Sequence, residues 1–94
     1  LIVILGILND KDYKKIIKVL STRADTFIMT EPISKRALSA RLLETQALSL
    51  HKQTFIEKKV SMALKKANQV ASSDDLILVT GSFYSVGEAL SELS

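Results

Sequence analysis

Cysteine is absent from this chain, which excludes disulfides and thiolate metal sites. That absence fits a cytoplasmic protein. Tryptophan is also missing, and aromatic residues make up only 5% of the sequence. A core must therefore be aliphatic, and the aromatic interleaving of a nucleic-acid platform is lacking, so no nucleic-acid partner is expected. The only histidine is His51, too few for a zinc site without cysteine, and it reads as a solvent-facing turn residue. The three glycines, Gly6, Gly81 and Gly87, do not fall at the spacing of a Gly-x-x-x-x-Gly-Lys-[Ser/Thr] loop or a Gly-x-Gly-x-x-Gly fingerprint, so neither an ATP-cleaving loop nor a dinucleotide signature is present. The longest apolar run, Leu1 to Leu8 around Gly6, is too short to span a membrane and has no basic leader or cleavage site. No membrane partner is expected, and because the chain does not open on Met it reads as part of something longer.

What remains is ample for one domain over residues 1–94, with a hydrophobic content of 47%. The net charge of +3 comes from 13 basic and 10 acidic residues. The pairs Lys14-Lys15, Lys58-Lys59 and Lys65-Lys66 read as solvated helix surface. Leu76 to Val79 is an uninterrupted β-type run, which reads as a strand buried on both faces of a parallel sheet. Thr80-Gly81-Ser82 then turns, and Val86, Ala89, Leu90 and Leu93 resume at helical spacing.

The rest of the chain repeats that alternation. Leu1 to Leu8 is a strand. Asp10 or Asp12 caps a helix whose inner face carries Tyr13, Ile16, Ile17, Leu20 and Ala24. Asp25 to Thr30 is a second strand, ended by Glu31-Pro32, and Ile33 to Leu38 is a loop. Ser39 is a candidate N-cap for a helix with Leu42, Leu43, Ala47 and Leu50 facing inward. Thr54 to Ile56 is a short strand after the His51 to Gln53 turn. Val60, Ala63, Leu64, Ala67, Val70 and Ala71 mark a third helix, its alanines read as core packing. The expected fold is α/β: a three-layer Rossmann-like domain with a mostly parallel sheet of about four strands and helices on both faces.

In such a sheet the strand-to-helix turns share one edge, where ligands bind. Three of these turns carry chemistry: Asn9 to Asp12, Glu31 to Arg36, and Thr80 to Ser82. Asp10 and Asp12 could ligate Mg²⁺, but capping and solvation are preferred. Lys11 is a point charge for a carboxylate or phosphate, and Arg36 offers a bidentate fork; either could instead be an ordinary surface cation. Ser82 has no histidine base near it in sequence and suits hydrogen-bond donation better than attack. Phe83 and Tyr84 could line a pocket or simply pack.

These residues together resemble the C-terminal domain of folylpolyglutamate synthase/dihydrofolate synthase, in the Mur ligase superfamily. Leu78-Val79-Thr80-Gly81-Ser82-Phe83-Tyr84-Ser85-Val86-Gly87-Glu88 is similar to the family's closing signature. Gly6-Ile7-Leu8-Asn9-Asp10-Lys11-Asp12-Tyr13 is similar to its glycine-to-Asp-Lys-Asp segment, and Pro32 to Leu38 to its middle loop. The resemblance implies an ATP-dependent amide ligase that adds L-glutamate to a folate or dihydropteroate carboxylate. ATP and Mg²⁺ would be held mainly outside this chain, in a P-loop central domain of the same polypeptide, and the isolated segment would be inactive. It assigns Lys11 and Ser82 to glutamate binding, with Thr80 and Arg36 beside them, and no catalytic residue. The alternatives are another Mur-type amino-acid ligase or a non-catalytic Rossmann-like module that binds an anion or a partner.

Overall fold

The computed structural model describes residues 1–81. Their order is β1 (Ile2–Gly6), α1 (Tyr13–Leu20), β2 (Thr26–Met29), α2 (Ala40–Ser49), β3 (Gln53–Ile56), α3 (Val60–Val70) and β4 (Ile77–Gly81). The strands form one sheet in the order β3-β2-β1-β4, and every pairing is parallel. Rossmann-like α/β architecture is therefore present as expected. The fourth helix expected from Val86 to Leu93, together with Ser82, Phe83 and Tyr84, lies outside the described residues.

Strand alternation sorts the core into two layers. Val3, Leu5, Phe27 and Met29 face α1 and α2, where Ile17, Ala40, Leu43 and Ala47 complete one cluster. Ile2, Ile4 and Ile28 face α3 and pack on Ala63 and Ala67. The alanines let α3 lie close to the sheet, the packing role expected of them. On the same face the Lys66 ammonium sits 4.4 Å from the centre of the Phe55 ring, so one of the solvated-surface lysines also covers an aromatic face.

Local chemistry sets the helix ends. A helix leaves its first N–H groups without intrahelical partners. At α1 the Asp12 carboxylate accepts from the Lys15 N–H at 3.2 Å. At the other end, the Ser21 and Thr22 hydroxyls donate to the Lys18 and Val19 carbonyls at 2.7 and 2.8 Å. Ser39 caps α2, accepting from the Leu42 N–H at 3.2 Å, and the Glu31 carboxylate accepts from the Ala40 N–H at 2.8 Å. The turn from α3 to β4 closes on Asp75, which accepts from the Ser72 N–H at 2.9 Å and its hydroxyl at 3.2 Å.

Three expectations are corrected. Among the described residues β4 is an edge strand rather than one covered on both faces: Leu76 is 74% exposed, and Ile77 and Leu78 are also open. Its only described sheet neighbour is β1. Leu42 is exposed while Leu43 is fully buried, because successive helix positions differ by about 100° and Ala40, Leu43 and Ala47 define the inward stripe. Val70 likewise turns outward. Among the described residues no helix is long and apolar enough to cross a membrane.

Two outcomes follow for stability. Leu43→Ala should cost about 2–5 kcal/mol and Leu42→Ala less than about 1 kcal/mol in urea unfolding; equal losses would contradict the stripe. The Ser72 backbone N–H, joined by its hydroxyl, holds the Asp75 carboxyl below its ordinary value of 3.8. A lowered folded pKa means the stabilisation is present above that value and lost as pH falls through the folded one. Asp75→Asn should therefore lower Tm at neutral pH, with the gap to the parent closing in strong acid.

Candidate functional site

The strand order places a switch point beside β1. From β1 the chain moves through α1 to β2 and on to β3, then crosses back through α3 to β4 on the far side of β1. The strand order thus reverses at β1, and in open α/β sheets ligands bind at the carboxyl ends of the strands beside such a reversal. The register brings Gly6 opposite Gly81 there. Gly81 has φ of +116°, and a Cβ on it would collide with the Gly6 carbonyl oxygen. Only glycine fits this approach.

Two loops meet beyond that edge. The β1–α1 loop and the β2–α2 loop run antiparallel across a bridge between Leu8 and Ala37. The Leu38 N–H donates to the Ile7 carbonyl at 2.9 Å, and the Asn9 N–H donates to the Arg36 carbonyl at 2.7 Å. The Arg36 N–H donates in turn to the Ser34 hydroxyl at 3.1 Å. Arg36 is therefore fixed at its backbone before its side chain is considered.

That side chain reaches back over the first loop. An Arg36 terminal nitrogen lies 3.0 Å from Asp10 Oδ2, and its Nε approaches Asn9 Oδ1 at 3.5 Å. The Lys11 ammonium lies 3.7 Å from the same Asp10 oxygen. The two cations that sequence reasoning singled out are thus gathered around one carboxylate. All three side chains are about half exposed. Screened pairs of this kind contribute little to stability, so the cluster orders the site rather than holding the fold. Arg36 keeps N–H groups free of Asp10 and Asn9 and still able to bind an incoming anion.

Thr80 is placed differently. It pairs in register with Leu5 and, with Gly81, lines a groove of about 360 Å³ against Lys15, Ile16, Val19 and Leu20 of α1. It does not join the Lys11–Arg36 cluster. Ser82 lies outside the described residues. His51 sits at the opposite, helix-to-strand edge, exposed and with φ of +61°. Two acids in the turns expected to carry chemistry take parts that the sequence did not show. Asp10 was weighed as a cap or Mg²⁺ ligand, yet Asp12 does the capping and Asp10 binds cations. Glu31 was read as a strand terminator, whereas its carboxylate caps α2 and borders a second depression of about 290 Å³ with Ser39, Arg41, Ile56 and Lys58. Only the loop position of these acids was visible in sequence, not the direction each side chain takes.

Comparison with known proteins bears on the family and the fold. Residues 1–83 match the family described as Mur ligase, glutamate ligase domain. The chain is 30% identical over 88 residues to the dihydrofolate synthase/folylpolyglutamate synthase of Buchnera aphidicola subsp. Schizaphis graminum, covering 94% of this chain and 21% of that protein. It is similar in structure to a bifunctional folylpolyglutamate synthase/dihydrofolate synthase from Yersinia pestis CO92, with a TM-score of 0.87 and 27% identity over 98% of this chain and 22% of that one. A further Yersinia pestis structure of such an enzyme, complexed with AMPPNP and a Mn ion, gives a TM-score of 0.81 and 27% identity, covering 98% of this chain and 22% of that one. The chain spans about a fifth of the length of these relatives.

Gly81→Ala should destabilise the domain by roughly 1–3 kcal/mol, since it adds a side chain at a left-handed φ against a neighbouring backbone oxygen. Thermal unfolding checks this, and an unchanged Tm would contradict the close approach of β1 and β4.

Proposed function

The chain belongs to the Mur ligase glutamate ligase domain family, and from that premise we propose that it is the glutamate-presenting domain of an ATP-dependent folylpolyglutamate/dihydrofolate synthase. One observation carries the reading beyond the family: Lys11 and Arg36, from separate loops, converge on a single point at the carboxyl edge. An ammionium and a guanidinium held together there suit a carboxylate, which both bind through charge-assisted hydrogen bonds.

In this reading the acceptor is a carboxylate of a folate or dihydropteroate substrate, activated as an acyl phosphate. The amine of L-glutamate attacks the acyl carbon, the new C–N bond forms, phosphate leaves with the electrons of the broken C–O bond, and the proton lost from the amine nitrogen passes to solvent or the departing phosphate. ATP with Mg²⁺ supplies the phosphoryl group. The described residues do not fit that group: Asp12 is committed to the α1 cap, Asp10 to two cations, and no cluster of three or more metal-binding side chains occurs among them. No phosphoryl step is therefore assigned to this chain. The P-loop central domain of the same polypeptide is the partner that would hold the nucleotide and Mg²⁺.

What this chain contributes is orientation. Lys11 and Arg36 would hold a glutamate carboxylate, Ser82, next in sequence after β4, would donate to it, and Thr80 would shape the β4 wall. Fixing the amine donor against the activated carbonyl removes translational freedom from the reaction and can account for much of the rate. The match of the Yersinia pestis enzyme carrying AMPPNP and Mn supports a parent that uses a nucleotide.

In the ligase that contains this chain, Lys11→Ala and Ser82→Ala should each raise the KM for L-glutamate by about tenfold or more, the worth of one charge-assisted hydrogen bond. The KM for ATP should move little. Steady-state kinetics with both substrates varied would test this, and unchanged glutamate KM in both variants would overturn the site. Residues 1–94 alone should show no ligation.

A further inference from the structure

We propose that Asp10 is a positioning residue, which makes one carboxylate-binding site out of two cations carried by different loops. The inference rests on the reading of Lys11 and Arg36 as substrate-binding groups. It goes further by naming what brings them together.

The geometry has a definite direction of cause. Asp10 sits in a turn closed by the Lys11 N–H donating to the Leu8 carbonyl at 3.2 Å, so its carboxylate is placed by its own loop. Arg36 is tied to that loop through its backbone carbonyl and the Asn9 N–H at 2.7 Å. Four rotatable side-chain bonds then separate its fixed backbone from its guanidinium. Left to itself, that charge would be driven away from the Lys11 ammonium by like-charge repulsion. Asp10 Oδ2 receives both, at 3.0 Å from Arg36 and 3.7 Å from Lys11. Neither cation has an ion pair to any other acid among the described residues.

The charge balance of the trio fits this role. Two cations and one carboxylate leave a net charge of +1, matched to a single incoming carboxylate. Without Asp10 the two cations would separate and present two weak, solvated sites. The arrangement also argues against a metal at Asp10, because two cations already border its oxygen and would repel a third. Asp12, two residues on, cannot substitute, since it accepts from the Lys15 N–H at the start of α1.

A double-mutant cycle in the full-length ligase tests this. Asp10→Asn keeps the shape and removes the charge. It should raise the KM for L-glutamate about tenfold, leave the KM for ATP within about twofold, and be largely rescued by Asp10→Glu. Arg36→Ala should have a similar effect. The Asp10→Asn/Arg36→Ala double variant should then be no worse than either single one, because Arg36 is already misplaced once Asp10 is neutral. Effects that multiply in the double variant, or a silent Asp10→Asn beside impaired Lys11→Ala and Arg36→Ala, would overturn the positioning role alone. If Lys11→Ala and Arg36→Ala are themselves silent, the substrate-site reading fails and takes this inference with it.

Discussion

The described structure depends on the two-sided pairing of β1. Ile2 pairs with Thr26 on one flank and with Ile77 on the other, so the strand carries backbone hydrogen bonds along both edges. Its side chains are buried on both faces as well, from Ile2 to Leu5. Each such side chain contributes roughly 1.5–3 kcal/mol of burial, and an unpaired polar group here would find no water. Few other arrangements are open to a strand so committed. Its position determines where β2 and β4 lie and where the loop carrying Asp10 and Lys11 emerges.

From that strand the site inherits an asymmetry. On the β2 side the two loops are joined by backbone hydrogen bonds and an antiparallel bridge, an extension of the sheet beyond its parallel part. That wall is held by main-chain geometry, which is stiffer than any exposed ion pair. On the β4 side the wall is an edge strand brought close by facing glycines, with Thr80 turned toward α1 rather than the loops. The cations therefore stand on the rigid wall, and the groove lies under the other. The proposed glutamate-presenting role needs its charges fixed, and the firmer wall is where they are.

Much of the fold was legible because the signals are local. The caps at Asp12 and Ser39 depend on atoms three residues away, and the strands announce themselves as short apolar runs. Strand position is not local. Leu1 to Leu8 and Leu76 to Val79 read alike, yet one run is central and the other forms an edge, because strand order is decided by crossovers rather than by composition. The same limit hid the Glu31 contact to Ala40, which spans nine residues of irregular loop. Lys11 and Arg36 were visible as candidates from loop position and family resemblance. Their convergence was not, since Asn9 and Arg36 meet across 27 residues.

Asp10 and Asp12 show why residue type and spacing underdetermine a site. Both are exposed aspartates in one turn, and either could have capped α1. Asp12 does so because it directly precedes the helix and its carboxylate lies over the free N–H groups of the first turn. The first turn has no acidic residue of its own, so that end of the helix dipole is offset by Asp12 alone. Asp10, two positions earlier, lies too far back along the loop to share the cap. Its carboxylate faces the crossing β2–α2 loop instead, where Arg36 arrives. Cap and counter-ion are thus two outcomes of one geometric fact, the point at which the chain turns into α1. Were that point two residues earlier, Asp10 would take the cap and the paired cations would have no carboxylate between them.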